Sequence, residues 1–422
     1  MTGWREASLD DLCDRITSGG TPSRTRSDYF CDPPDGHAWV KSQELVDRRI
    51  TATSEHISDA GLRGSSAKEL PVGAVLIAMY GANVGQLGYL GIKATVNQAI
   101  CALIADPVVA DPRFLYYALA HSRDDLVTKA HGAAQQNLSQ QLIRPYRLRV
   151  PKLDVQRRIG AVLRAIDDLI ENNRRRVEVL EEMARAIYCE WFVHFRYPGH
   201  ENAAFVETPR GPIPAGWSVT QLAEVVSTQY GYTESASDVE VGPRYLRGMD
   251  INKRSYIDWS TVPFCPIGDA DLARFRVEVG DVFVIRMADP GKVGICEVAT
   301  NAVFASYLVR MRPSADRIST YLLFFTLCGE EYQSWVTGAS TGATRKSVSA
   351  KVMTEPRIVL PPQQTQEAFE AMVRPLRSLM TRLVQASAAL GAVRDSLLPK
   401  LVTGQIDVSS LDLDVLVKDS VA

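Results

Sequence analysis

A chain of 422 residues, 46% hydrophobic and 23% charged, has room for two domains of ordinary size and the composition of a globular protein. Its 47 basic and 49 acidic side chains leave a net charge of -2, which argues against indiscriminate polyanion binding but leaves room for a local basic face. No run approaches the roughly 18 apolar residues of a membrane span. The polar start MTGWREASLDD does not read as a secretory signal, and seven scattered cysteines without a CxxC pair imply a reduced, cytoplasmic setting.

The chain opens on Trp4 and a short amphipathic stretch, then runs through short Val-, Ile- and Tyr-rich pieces punctuated by turn residues, a mixed α/β pattern with much β. Asp32-Pro33-Pro34-Asp35 is close to an amino-methyltransferase motif, but an Asp stands where that motif needs an aromatic, so it reads as a turn. Gly73 precedes an apolar strand at LPVGAVLIAMYGANVG, and Phe114-Leu115-Tyr116-Tyr117 reads as a buried helix. A polar loop, HGAAQQNLS from His131, leads to a strand closed by Pro151, a residue suited to the first turn of the helix beyond. That helix has heptad spacing at Ile159, Ile166, Asn173, Leu180 and Ile187, with Val162, Leu169 and Met183 as the second row. Asn173 fits a register-fixing polar position, and Arg174-Arg175-Arg176 reads as a solvated face.

After a Pro- and Gly-rich stretch the pattern returns, shifted by 210 residues between the two helical segments. Trp217 opens the second half, Gly280 precedes VFVIRMADPGKVG, Tyr321-Leu322-Leu323-Phe324 matches the buried helix, and TGASTGATRKSVS from Thr337 matches the polar loop. Phe304-Ala305-Ser306-Tyr307 stands against Asn97-Gln98-Ala99-Ile100. The second helix repeats the heptads at Phe369, Leu376, Leu383, Leu390 and Leu397, with Met372, Leu379 and Val393 as its second row. Pro375 should kink it or mark a late start. A helix of about 40 residues is roughly 60 Å long and cannot bury its stripe alone. The expected solution is an antiparallel pair of coiled-coil helices with pseudo-twofold symmetry. The expected organisation is a first globular domain over 1–151, a first long helix over 152–195, a linker over 196–216, a second domain over 217–361, a second long helix over 362–403 and a tail over 404–422 that frays beyond Asp407.

No catalytic or metal-ligand motif emerges: the glycines at 81, 85 and 88 fit neither a P-loop nor GxGxxG, and the six histidines lack ligand spacing. What remains is recognition by polar loops on a rigid frame, since Gln and Asn suit adenine, Arg suits guanine, and Lys, Ser and Thr suit phosphates. The DNA-binding candidates are Arg24, Lys41, Ser65, Ser66, Lys68, Asn97, Gln98, Gln135, Gln136 and Asn137 in the first half. In the second they are Arg244, Arg247, Lys253, Arg254, Arg286, Thr341, Thr344, Arg345 and Lys346. The alternative is a pseudo-symmetric coiled-coil scaffold that binds no DNA.

Several motifs in order carry a family resemblance: SGGTPSR from Ser18, WVKSQEL from Trp39, ISDAGLRGSSAKELPVGAVL from Ile57, TVNQAI from Thr95, QQNLSQQLIRPYRLRVPKLDVQRRI from Gln135, CEWFVHFRYPG from Cys189, GPIPAGW from Gly211 and RDSLLPKLVTGQIDV from Arg394. Over nearly its whole length the chain resembles the specificity subunits of type I restriction–modification systems. The resemblance implies a mixed α/β chain of two target recognition domains joined by the two antiparallel helices, each domain reading one half of a bipartite double-stranded DNA site. It implies docking of two DNA methyltransferase subunits, which methylate adenine with S-adenosylmethionine, and of motor–nuclease restriction subunits. It further implies that this chain is not itself an enzyme and binds neither cofactor nor metal.

Overall fold

The computed structural model describes residues 3–131, 137–340 and 347–410. The chain divides into two compact units, Met1–Ile170 with Leu390–Ala422, and Glu171–Ala389. The part of the expected tail beyond residue 410 lies outside the described residues.

The first unit is built on a five-stranded sheet in the order Cys13–Ser18, Ile100–Ala105, Val75–Ala78, Leu87–Leu90, Arg48–Ile50. Its pairs are antiparallel except the last, which is parallel. All four residues of Val75–Ala78 are buried, because both faces of the sheet are covered. Val75 and Ile77 join the core under the helix Pro112–His121, whereas Leu76 and Ala78 face a second cluster around Val40, Leu45 and Val96. Against that second face, His37–Val40 runs parallel to Thr95–Val96. The strand Arg5–Ser8 pairs with Arg147–Val150 and so ties the start of the chain to the entrance of the first long helix.

The second unit repeats this plan on different side chains. Its sheet runs Val226–Tyr230, Leu308–Pro313, Val282–Ile285, Val293–Ile295. Val282 and Val284 face one core, and Phe283 and Ile285 face the other. Arg244–Leu246 runs parallel to Ala302–Phe304, and Ser218–Gln221 pairs with Arg357–Leu360. Gly73 and Gly280 adopt positive φ at matching turns, where each backbone N–H reaches a carbonyl at the end of the neighbouring strand (Leu90) or just past it (Cys296). The expected linker 196–216 contains a hairpin, Phe205–Thr208 with Gly211–Pro214. Asp32–Asp35 is a turn closed by the Asp35 N–H on the Asp32 carbonyl at 3.0 Å.

The long helices span Leu153–Tyr188 and Gln363–Val402. The second starts at Gln363 rather than after Pro375, whose ring is exposed on it. In the first unit, Ile159 and Leu163 share a core with Leu397, Leu398, Leu401 and Val402, and Arg394 donates to Asp167 at 3.0 Å. In the second, Val177 and Leu180 pack with Leu379, Met380 and Leu383, while Ala184 and Trp191 pack with Phe369 and Val373. Of the seam set, Ile159, Phe369 and Leu383 are buried, and Ile166, Asn173, Leu180, Ile187, Leu376, Leu390 and Leu397 are half-buried.

The second row meets the expectation only at Val162 and Leu379, which pack against the cores. Leu169, Met183, Met372 and Val393 are about half exposed. The buried row instead lies four residues on: Gln156, Leu163, Val177, Ala184 and Trp191, with Gln366, Val373, Met380 and Leu401. The seven-residue spacing of the expected row also takes in Arg176, and burying its guanidinium without a partner would be costly. Arg176 is exposed, as are Arg174 and Arg175, which pair with Glu171.

The two glutamines anchor these helices. Gln156 accepts from the Asp111 N–H at 3.0 Å and donates to the carbonyls of Val109 and Pro151, both at 3.0 Å. Gln366 accepts from the Ser319 N–H at 2.8 Å and donates to the carbonyls of Arg317 and Pro361, both at 3.1 Å. Gln156→Leu or Gln366→Leu should each destabilise the chain by about 2–4 kcal/mol, since one backbone donor and two acceptors lose their buried partner. Chemical denaturation of the purified variants checks this, and a loss below about 0.5 kcal/mol would show that the side chain is not an anchor.

Candidate nucleic-acid interface

In each unit, several loops meet at one end of the sheet. In the first unit these are the segments after Ser18, after Ala78, before Ile100 and before Gln140. The Met79 N–H donates to the Ala99 carbonyl at 2.8 Å, the Leu138 N–H to Met79 at 2.8 Å, the Gly20 N–H to Val96 at 2.9 Å and the Asn97 N–H to Val40 at 3.0 Å. The second unit repeats all four: Arg286 to Tyr307 at 2.9 Å, Val348 to Arg286 at 2.9 Å, Tyr232 to Phe304 at 2.8 Å and Ala305 to Leu246 at 2.9 Å. An aromatic side chain pins the loop in both, with Trp39 Nε1 on the Gly20 carbonyl at 3.1 Å and the Tyr245 hydroxyl on the Tyr232 carbonyl at 2.9 Å. These bonds correct the expected register by one residue: Ala305-Ser306-Tyr307 stands where Asn97-Gln98-Ala99 stands.

The glycines of this platform are steric necessities. A Cβ on Gly19 would lie 1.8 Å from the Val96 carbonyl oxygen, and one on Gly231 would lie 2.3 Å from the oxygens of Phe304 and Ala305. The loop can cross the parallel strand pair only where no side chain intervenes. Gly20 is similarly tight against Ser66 Oγ, at 2.2 Å.

The first-half candidates fall into three groups. Gln98 is exposed and accepts from Thr21, and Asn137 is exposed on the adjoining segment. Arg24 and Lys41 converge on Glu55, at 2.7 and 2.6 Å, and the Arg24 guanidinium lies 4.5 Å over the Phe30 ring and 5.2 Å over Trp39. Lys41 beside it, with Arg24, holds the Glu55 carboxyl below its usual pKa range. The rest serve the fold locally: Ser65 donates to the Gly61 carbonyl at 2.7 Å, Asn97 accepts from the Ala99 N–H at 3.2 Å, and Lys68 donates to Thr17 at 3.2 Å. Ser66 is exposed. Gln135 and Gln136 lie outside the described residues.

In the second half, Arg244 donates to the Val262 carbonyl at 2.5 Å and covers the Phe264 ring at 4.3 Å, so it closes a loop. Arg247 grips Asp250 through two nitrogens, at 3.1 and 2.9 Å, at the place Lys41 holds in the first unit. Arg254 lies 3.8 Å from Asp258, and Lys253 is exposed. Arg286 lies on the platform, with its guanidinium 4.7 Å over the Tyr230 ring. Thr341, Thr344, Arg345 and Lys346 lie outside the described residues. Sequence reasoning missed, as platform residues, Thr21, Tyr230, Tyr307 and Gln140, whose Nε2 donates to the Ser18 hydroxyl. The departures of the second half from the first at Gln229–Thr233 and Phe304–Tyr307 were the available signal.

Among the described residues, no group of three or more His, Cys, Asp and Glu side chains could hold a metal ion. Nor is any of their helices long and apolar enough to cross a membrane. Gly19→Ala or Gly231→Ala should cost about 2–4 kcal/mol in a denaturation experiment, because backbone must move, whereas Gln98→Ala should stay within about 0.5 kcal/mol. A destabilising Gln98→Ala would make that side chain part of the frame rather than of its working surface.

The model of the type I restriction modification DNA specificity domain matches residues 1–182. The chain is 22% identical to the MjaIX specificity subunit of Methanocaldococcus jannaschii, over 97% of this chain and 94% of that one. It is 22% identical to the EcoBI specificity subunit of Escherichia coli, over 74% and 69% of the respective chains. In fold it is similar to the crystal structure of a type I restriction–modification S subunit from M. genitalium, with a TM-score of 0.61 and 16% identity, covering 94% of this chain and 96% of that one. Residues 1–182 thus match a DNA specificity domain, and over most of its length the chain is similar to type I restriction enzyme specificity subunits.

Proposed function

We propose that each unit is a target recognition domain reading one half of a bipartite double-stranded DNA site, and that the long helices set the distance between the halves. The observation that carries this reading is the duplicated platform: the same backbone bonds at the same strand ends, filled with different side chains. A frame held constant while its surface changes is what two readers of different half-sites require.

In this reading the helices form an antiparallel pair with pseudo-twofold symmetry. The support is that each end of one shares a core with the opposite end of the other, once in each unit. Their half-exposed apolar residues, Leu169 and Val393 in the first unit and Met183 and Met372 in the second, would dock two methyltransferase subunits. Those partners would use S-adenosylmethionine to methylate adenine, motor–nuclease subunits would join them, and the chain itself would be neither enzyme nor cofactor-bound. The expected domain limits stand as part of the same proposal.

The test is to insert one heptad into each long helix at matched positions, co-express the full chain with its methyltransferase, and map methylated adenines. The spacer between half-sites should change while both half-site sequences stay fixed. New half-sites with the old spacer would defeat the proposal. Gln98→Ala should relax one position of one half-site by about 1–3 kcal/mol of discrimination.

A further inference from the structure

Arg286 is unusual among the charged groups of the chain. The other partly buried arginines of the described residues hold a carboxylate or a carbonyl: Arg123 holds Asp47, Arg310 and Arg312 hold Asp281, Arg377 holds Glu297, and Arg394 holds Asp167. The Arg286 side chain makes neither an ion pair nor a hydrogen bond among the described residues, and its Nε is buried without a partner. An unsatisfied buried donor costs free energy. The fold does not require that cost, because the same backbone position in the first unit is taken by Met79, which is buried in the core.

The surroundings show what the cost is for. Tyr230, 42% exposed, lies under the guanidinium, and its own hydroxyl accepts from the Ala350 N–H at 2.9 Å, so the ring is fixed at both ends. The backbone N–H of Arg286 is held by Tyr307, 56% exposed. Two residues further on, Ala288 has φ +67, where the first unit has Gly81 at φ +87. A left-handed alanine stores strain, and such strain collects where a loop is shaped for a ligand. A guanidinium stacked on a fixed ring is held in one plane. That suits two acceptors lying side by side in a plane, as N7 and O6 do on the major-groove edge of guanine. A phosphate can take the same fork, and the salt dependence of binding separates that contact from one to a base.

We propose that Arg286 is a specificity-determining residue of the second unit, reading one guanine of its half-site through a bidentate contact. The proposal rests on the DNA-reading function above. Its test uses Arg286→Met, which installs the residue of the first unit, and Arg286→Lys, each in the full chain co-expressed with the methyltransferase. Methylation mapping of the wild-type complex first defines the two half-sites, and the complex is then titrated with duplexes carrying 7-deazaguanine at each guanine in turn. At one guanine of one half-site, wild type should lose roughly ten- to hundredfold in affinity and the Met variant should lose nothing further. That position alone should become degenerate in the variant's methylation motif, and Lys should restore it only in part.

An unchanged motif with uniformly weaker binding and a salt slope lower by about one would make Arg286 a phosphate contact and overturn the proposal. Unchanged binding and motif, a half-site without guanine, or a Met variant that fails to fold would overturn it equally. A wild-type complex that methylates no bipartite site would instead defeat the underlying reading.

Discussion

One buried glutamine at the head of each long helix joins the two kinds of structure in this chain. Gln156 and Gln366 each bind the turn leading into a buried helix of the globular part and the proline carbonyl that ends the last strand. The first buried helix turn, the last strand and the long helix therefore share one fixed corner. Each bond is modest, but none can be exchanged for water, so breaking the set leaves several buried groups unpaired at once. The heptad rows then continue from a start that is already oriented.

From that corner outward, burial decides the frame and leaves the strand-end loops free to vary. The central strands Val75–Ala78 and Val282–Ile285 are covered on both faces, which fixes their register, since a slip by one would exchange the two cores. Gly19 and Gly231 let the loop lie against the parallel strand pair, and Trp39 or Tyr245 holds it there. Once those contacts are made, residues such as Thr21, Gln98, Tyr230 and Arg286 can change without disturbing the sheet beneath.

The repeat, the buried helices around Phe114 and Tyr321 and the turn glycines were legible because each leaves a local mark: periodicity, an apolar run, a Gly before a strand. The helical rows were only half legible. Spacings of three and of four both satisfy a heptad; in the first helix the exposed charge of Arg176 lies on the row that stays half exposed. The register of the platform was misread by one residue because Phe304 fills the place of Val96, a match visible only in the bonds to Tyr232 and Gly20. For the basic candidates, sequence gave the residue type but not the partner. Arg247 looks like a free cation until Asp250, three residues on, is seen to close on it.

That pairing bears on how such a chain would bind DNA. Arg24 and Lys41 share Glu55, Arg247 holds Asp250, and Arg254 lies near Asp258. A cation already neutralised gains little from a phosphate, because one charge-assisted bond is exchanged for another. Counterion release would then supply less of the affinity than for a protein with a bare basic face, and more of it would come from base edges and shape. The net charge of -2 follows the same logic, since a reader that must reject most sequences gains nothing from binding all of them tightly. In the proposed reading, carboxylates beside the cations would keep non-specific affinity low, and an arginine left without one would be the residue through which sequence is felt.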